Sequence, residues 1–159
     1  MDDAVKENVV IYTDGGCSPN PGLGGWAAVL IAPQRDGRRR EICGAVADTT
    51  NNRMELQAAI EALRCLKKPC SVTLHTDSQY LRNAFEKRWI ENWVRKGWRT
   101  ADKKPVANID LWQELLDLRQ LHDVQFQWVR GHAGNFYNER CDELVAQARD
   151  RYRASPKPS

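Results

Sequence analysis

An α/β domain built on a mixed β-sheet is the fold class this sequence predicts, and three observations predict it. Runs of β-branched and aromatic residues open the chain in close succession with short turn clusters between them. From residue 52 onward the apolar period changes from two to that of a helix. Strand-like runs then alternate with helical stretches, an order that calls for parallel crossovers through helices packed on the sheet.

Val9–Thr13 reads as the first strand, ending at Gly15-Gly16, and the Ser18-Pro19-Asn20-Pro21-Gly22 cluster as a turn. Trp26–Ile31 reads as the second strand, Asp36-Gly37 as a hairpin turn and Arg40–Val46 as the third strand, so these three form an antiparallel meander. Leu56, Ile60 and Leu63 recur at helical spacing between Asn52 and Leu66, and Pro69 closes that helix. Val72–Thr76 is a fourth strand. Helices follow over Ser78–Glu86, over Trp89–Lys96 up to Gly97, and around Leu111, Leu115 and Leu118. Val124–Val129 is the final strand, Gly131–Gly134 a flexible loop, and Asn138–Tyr152 the last helix, with Cys141, Leu144, Val145 and Ala148 inward.

At 159 residues the chain suits a single domain with a core of about 8–150, and both tails, including Arg153–Ser159, are expected to be disordered. Five cysteines, an odd number without a paired Cys-x-x-Cys spacing, point to reduced and mostly buried thiols. The acidic, polar N-terminus is no signal peptide and no apolar run is long enough to span a bilayer, so a soluble, cytoplasmic protein with no membrane partner is expected. The formal net charge is only +3, yet Glu86–Lys104 holds seven cations against three anions. That segment is therefore +4 and the remainder −1, which marks a polyanion-binding element on a nearly neutral body.

Four acids in four separate segments carry the chemistry: Asp14, Glu55, Asp77 and Asp142. Each has a bland explanation when taken alone. Asp14 suits a turn, Asp77 an N-cap, and Asp142 the start of a helix dipole. Glu55 resists one, because Ala59, Ala62 and Leu66 share its helix face. Carboxylates brought together near a core repel unless cations hold them, and an oxygen-rich site for a divalent ion engaged in phosphate chemistry is built that way. His132, between two loop glycines, titrates in the range useful for proton transfer, whereas His75 and His122 read as structural.

The wording around these residues is specific. Tyr-Thr-Asp-Gly-Gly-Cys from Tyr12, Thr-Thr-Asn-Asn-Arg-Met-Glu-Leu from Thr49, Thr-Asp-Ser-Gln-Tyr from Thr76, Lys-Gly-Trp-Arg-Thr-Ala-Asp-Lys-Lys-Pro-Val from Lys96, Asn-x-Asp-Leu-Trp from Asn108, Trp-Val-Arg-Gly-His-Ala-Gly from Trp128 and Asn-Glu-Arg-Cys-Asp-Glu-Leu from Asn138 together resemble bacterial type 1 ribonuclease H over about residues 8–150. The resemblance implies a five-stranded mixed sheet in the order 3-2-1-4-5. It implies an endonuclease that hydrolyses the RNA strand of RNA–DNA hybrids by two-metal catalysis with Mg²⁺ (Mn²⁺ substituting), leaving 3′-hydroxyl and 5′-phosphate ends. Asp14, Glu55, Asp77 and Asp142 match the family's metal-binding carboxylates and His132 its loop histidine.

The same resemblance assigns Cys17, Asn20, Asn51, Asn52 and Gln79 to 2′-hydroxyl recognition, and Thr50 and Asn108 to the DNA-strand phosphate. It makes Trp89–Lys104 a basic protrusion in which Trp89 and its neighbours shape the element and Arg95, Lys96, Arg99, Lys103 and Lys104 grip DNA phosphates. The chain departs from the family's common pattern at Asn135-Phe136-Tyr137. Neither a second hybrid-binding module nor oligomerisation is expected, so a monomer is the expectation. Two other readings stay open: a hybrid-binding module without activity, and a resolvase- or integrase-like nuclease.

Overall fold

The computed structural model describes residues 6–130 and 135–155. Five strands form one sheet: β1 (Glu7–Cys17), β2 (Gly22–Ala32), β3 (Arg38–Thr49), β4 (Cys70–Thr76) and β5 (Asp123–Trp128). Their order is β3-β2-β1-β4-β5, as the resemblance implies. β1 pairs antiparallel with β2, and β2 with β3, which is the expected meander; β4 pairs parallel with both β1 and β5. Among the described residues the five α-helices are α1 (Asn51–Arg64), α2 (Gln79–Glu86), α3 (Trp89–Arg95), α4 (Ile109–Leu121) and α5 (Phe136–Ala154).

Period-two alternation separates two cores. Val9 and Ile11 of β1 and Val72 and Leu74 of β4 join Leu56, Ala59, Ile60 and Leu63 of α1 and Trp112 and Leu115 of α4. On the opposite side of the sheet, Ala27 and Val29 of β2 meet Cys141, Leu144 and Val145 of α5, with Tyr12 and Cys43 half-buried beside them. A sheet covered on both faces accounts for the mixed strand directions.

Several boundaries differ from the sequence expectation. β1 runs through Asp14, Gly15 and Gly16 to Cys17, because β2 continues opposite it: Gly16 pairs with Gly25 and Cys17 with Gly24. Asp14 therefore lies within a strand rather than at its end. β3 extends to Thr49, three residues beyond Val46. α5 continues to Ala154, taking in two residues assigned to a disordered tail. The five cysteines are free thiols, but only Cys70 and Cys141 are buried; the other three are half-buried.

Gly15 is where the first core meets the future site. A Cβ there would stand 2.4 Å from the Met54 carbonyl carbon and 2.6 Å from the Glu55 amide nitrogen. Only a bare backbone lets the first turn of α1 press this closely on β1. Gly15→Ala should therefore lower stability by about 2–3 kcal/mol, the scale of overpacking against an immovable backbone. Urea unfolding measures this, and a midpoint unchanged from wild type would contradict the packing.

Candidate active site

β1, α1 and the β4–α2 junction each deliver one acid. One carboxylate oxygen each from Asp14, Glu55 and Asp77 lies within 4.8 Å of the other two. Asp77 follows β4 directly but does not cap α2; the Ser78 hydroxyl does, accepting the Leu81 amide at 3.1 Å. Capping therefore does not explain Asp77. Asp142 lies on α5 and lines the same cleft of about 430 Å³, together with Gly15, Gly16, Asn51, Asn52, Ser78, Gln79, Tyr80 and Val145. It stands outside the three-acid cluster, near enough for its charge to act on Asp14. Three other grooves, of about 600, 500 and 440 Å³, are larger but carry two carboxylates, one and one. Charge, not volume, distinguishes the site.

The electrostatics are those of carboxylates gathered closely in a largely buried cleft. Burial, then the charges of Asp77 and Asp142, push Asp14 up from 3.8 to about 7, with the Gly15 amide opposing. Burial, then Asp14 and Asp77, hold Glu55 well above its ordinary range. Glu55 Oε2 is buried without a hydrogen-bond partner. A buried carboxylate oxygen without a donor, facing two other carboxylates, fits a hard divalent cation, whose ligands are oxygens of this kind.

Around the acids the polar residues form a connected rim. Thr50 caps α1 by accepting the Arg53 amide at 3.2 Å. Asn51 Oδ1 accepts the Cys17 amide at 2.6 Å, and the Asn51 amide donates to Asn20 Oδ1 at 3.2 Å. Gln79 and Asn52 are exposed beside them. Asn108 donates to the Tyr80 hydroxyl at 3.1 Å and accepts from Arg53 Nη1 at 3.2 Å, while Arg53 also forms a bidentate pair with Asp110. Arg53, Ser78 and Tyr80 escaped selection from the sequence although all three lie inside the motifs; their signal was position between selected residues.

The basic segment stands apart from the acids. Trp93 packs on Trp89, Trp98 and Trp112 with ring centroids 6.2, 6.1 and 5.5 Å apart, so these indoles build the element, as expected. Arg95, Lys96, Arg99, Lys103 and Lys104 are exposed. Among the described residues none of the five has a carboxylate within 4 Å. His132 and its loop lie outside the described residues. Just beyond, Asn135 caps α5 by accepting the Asn138 amide at 2.9 Å, Tyr137 packs on Tyr12 at 5.1 Å and Phe136 is exposed. His75 stacks on Tyr12 at 4.3 Å, and buried His122 accepts the Cys70 amide through Nδ1, both structural as expected.

The RNase H family profile matches residues 6–150. "Ribonuclease H" of Nitratidesulfovibrio vulgaris (strain DSM 19637 / Miyazaki F) is 59% identical over 139 residues, covering 87% of each chain. "Ribonuclease H" of Chlorobaculum parvum (strain DSM 263 / NCIMB 8327) is 54% identical over 144 residues, covering 91% of this chain and 97% of its own. Among solved structures, LC9-RNase H1, described as a type 1 RNase H with the type 2 active-site motif, superposes with a TM-score of 0.82 at 30% identity, over 94% of this chain and 75% of that one. LC11-RNase H1 in complex with RNA/DNA hybrid shares the fold, with a TM-score of 0.68 at 24% identity over 91% and 98%.

The raised Asp14 value makes a stability prediction with a definite sign. Between about pH 4 and about pH 7 the unfolded chain has lost the Asp14 proton while the folded chain keeps it, so metal-free stability falls as pH rises through that window. Asp14→Asn, which cannot ionise, should be more stable than wild type by roughly 1–3 kcal/mol at pH 8 in chelator. Near pH 4 the two should match. Divalent cation should raise the wild-type melting temperature and leave the variant nearly unchanged. A pH-independent difference between the two proteins would contradict this electrostatic account.

Proposed function

The chain belongs to the ribonuclease H family, and from that membership we propose that it cuts the RNA strand of RNA–DNA hybrids as a metal-dependent endonuclease. The observation that carries the reading is the convergence of Asp14, Glu55 and Asp77 within 4.8 Å, with the orphaned Glu55 oxygen among them. The four acids, Asp142 included, would hold two Mg²⁺ ions, with Mn²⁺ able to substitute. Bound there, such ions supply an activated water and offset charge on the leaving oxygen of an in-line displacement, leaving 3′-hydroxyl and 5′-phosphate ends.

The chain's own groups do the rest. The carboxylates act as ligands rather than nucleophiles. His132 carries a proton or helps product leave, a role suited to an imidazole. Cys17, Asn20, Asn51, Asn52 and Gln79 meet the 2′-hydroxyls; an amide can both donate to and accept from a hydroxyl, which suits it to telling RNA from DNA. Their support is the bonded rim that ties Cys17, Asn20 and Asn51 together beside the acids. Thr50 and Asn108 hold the DNA-strand phosphate. The five exposed cations of the Trp89–Lys104 segment grip DNA phosphates further out, supported by their having no carboxylate within 4 Å among the described residues. A cytoplasmic monomer is the working form we infer; no helix among the described residues is long and apolar enough to cross a membrane.

The test is cleavage of a hybrid labelled on its RNA strand, beside duplex DNA, duplex RNA and single strands, with Mg²⁺ or chelator. Cutting of the hybrid's RNA alone, and only with metal, is expected; cutting of duplex DNA would instead favour a resolvase-like nuclease. Asp14→Asn should lose cleavage and keep hybrid affinity within about threefold, since it removes a metal ligand and no groove contact. Binding without cleavage by the wild-type chain would leave a hybrid-binding protein. Hybrid affinity should also fall by about two orders of magnitude from about 50 to about 200 mM salt, as phosphate contacts by several cations require. A flat salt profile would remove the protrusion from the interface.

A further inference from the structure

Arg149 lies seven residues beyond Asp142 on α5, an interval that returns to nearly the same side of a helix. Val145, between them on that side, lines the acid cleft. From there Arg149 reaches the turn that joins β1 to β2. Its Nε donates to the Leu23 carbonyl at 3.2 Å and its Nη2 to the Ser18 carbonyl at 2.7 Å. The Leu23 carbonyl also accepts the Ser18 amide at 3.2 Å, so the guanidinium closes over the base of the turn. The stem is pressed on β2 at Gly25, where a Cβ would stand 3.0 Å from Arg149 Cγ and 2.9 Å from the Val145 carbonyl oxygen. Among the described residues no carboxylate lies within 4 Å of this cation. The planar fork is engaged with backbone carbonyls alone.

The opposite side of the same turn is held by α1, through Asn51 Oδ1 on the Cys17 amide and Asn20 Oδ1 on the Asn51 amide. The turn is thus clasped between two helices, one bearing Glu55 and the other Asp142. We propose that Arg149 is a positioning residue for substrate selectivity: it fixes how far the Cys17–Asn20 turn stands from the acids. The 2′-hydroxyl contacts and the scissile phosphate are then met in one register. This rests on the hybrid-cleaving reading above. Arg149 touches neither the reacting atoms nor a metal ligand; it acts through Ser18 and Leu23.

Arg149→Lys keeps the charge and loses the fork, and Arg149→Ala loses both. Both should raise KM for hybrid roughly tenfold, the factor that follows from losing one hydrogen bond to a charged group. Both should leave kcat within about twofold and half-saturation by Mg²⁺ unchanged, because only binding register is disturbed. Both should also discriminate less against a hybrid carrying 2′-deoxy substitutions beside the cleavage site. Wild-type KM in the lysine variant would make Arg149 a plain attractor of phosphate and overturn the proposal. So would a shift in Mg²⁺ half-saturation at constant KM, which would place its action on Asp142. Hydrogen exchange of the Ser18 amide in the free protein gives a readout independent of cleavage. Faster exchange in both variants is expected and unchanged exchange would overturn the proposal, whether or not the wild-type chain cuts hybrid.

Discussion

Three carboxylates held within reach of one another are the constraint to which the rest of this structure answers. At the 4.8 Å limit of their spacing, each ionised pair repels by about 3 kcal/mol at an effective dielectric constant of ~20. Side chains on flexible segments would simply move apart. These cannot, because each acid is mounted on an element the core fixes. α1 is anchored by Leu56, Ala59, Ile60, Ala62 and Leu63, all fully buried. β1 is the central strand, bonded on both sides. The energy of repulsion is kept as raised proton affinity at Asp14 and Glu55. Stability is given up at the place where charge has to be gathered.

Much of this was legible in the sequence, and the exceptions are instructive. The meander, the switch to helical period at residue 52 and the strand–helix alternation all carry local signals, and those elements form where the signals stand. The misplaced boundaries are tertiary. Gly15 and Gly16 look like a strand end, since glycine is weak in strands, yet both pair with β2, and the pressure of α1 requires glycine at Gly15. Asp77 looks like a cap until the backbone is traced, when Ser78 takes that role. Asp14, Glu55 and Asp77 meet as closely as the motifs suggest. Asp142 faces the same cleft from the other layer, a relation no local pattern encodes. Arg149 was invisible for the same reason: its partners are 126 and 131 residues away.

The basic segment shows the same division between local and tertiary information. Its cations and tryptophans could be counted from the sequence, but not how so short a helix is kept in place. Trp93 supplies the answer by packing against indoles on both sides and against Trp112 in the core. Around it the chain takes left-handed backbone at Arg88, Gly97, Trp98, Lys103 and Asn108. Only one of these is glycine, so the bends cost energy that the aromatic packing offsets. The cations are carried outward on a rigid frame while the acids remain in the cleft.

β3 ends the sheet, and its twelve residues leave an open row of backbone donors and acceptors along one edge. A strand so long is a template on which another copy of the chain could extend the sheet. Its first half carries Arg38, Arg39 and Arg40 in succession, all exposed. Two such edges brought side by side in parallel register would set like charges against each other before the ladder could close. Exposed arginines on an edge strand disfavour fibrous self-association of this kind.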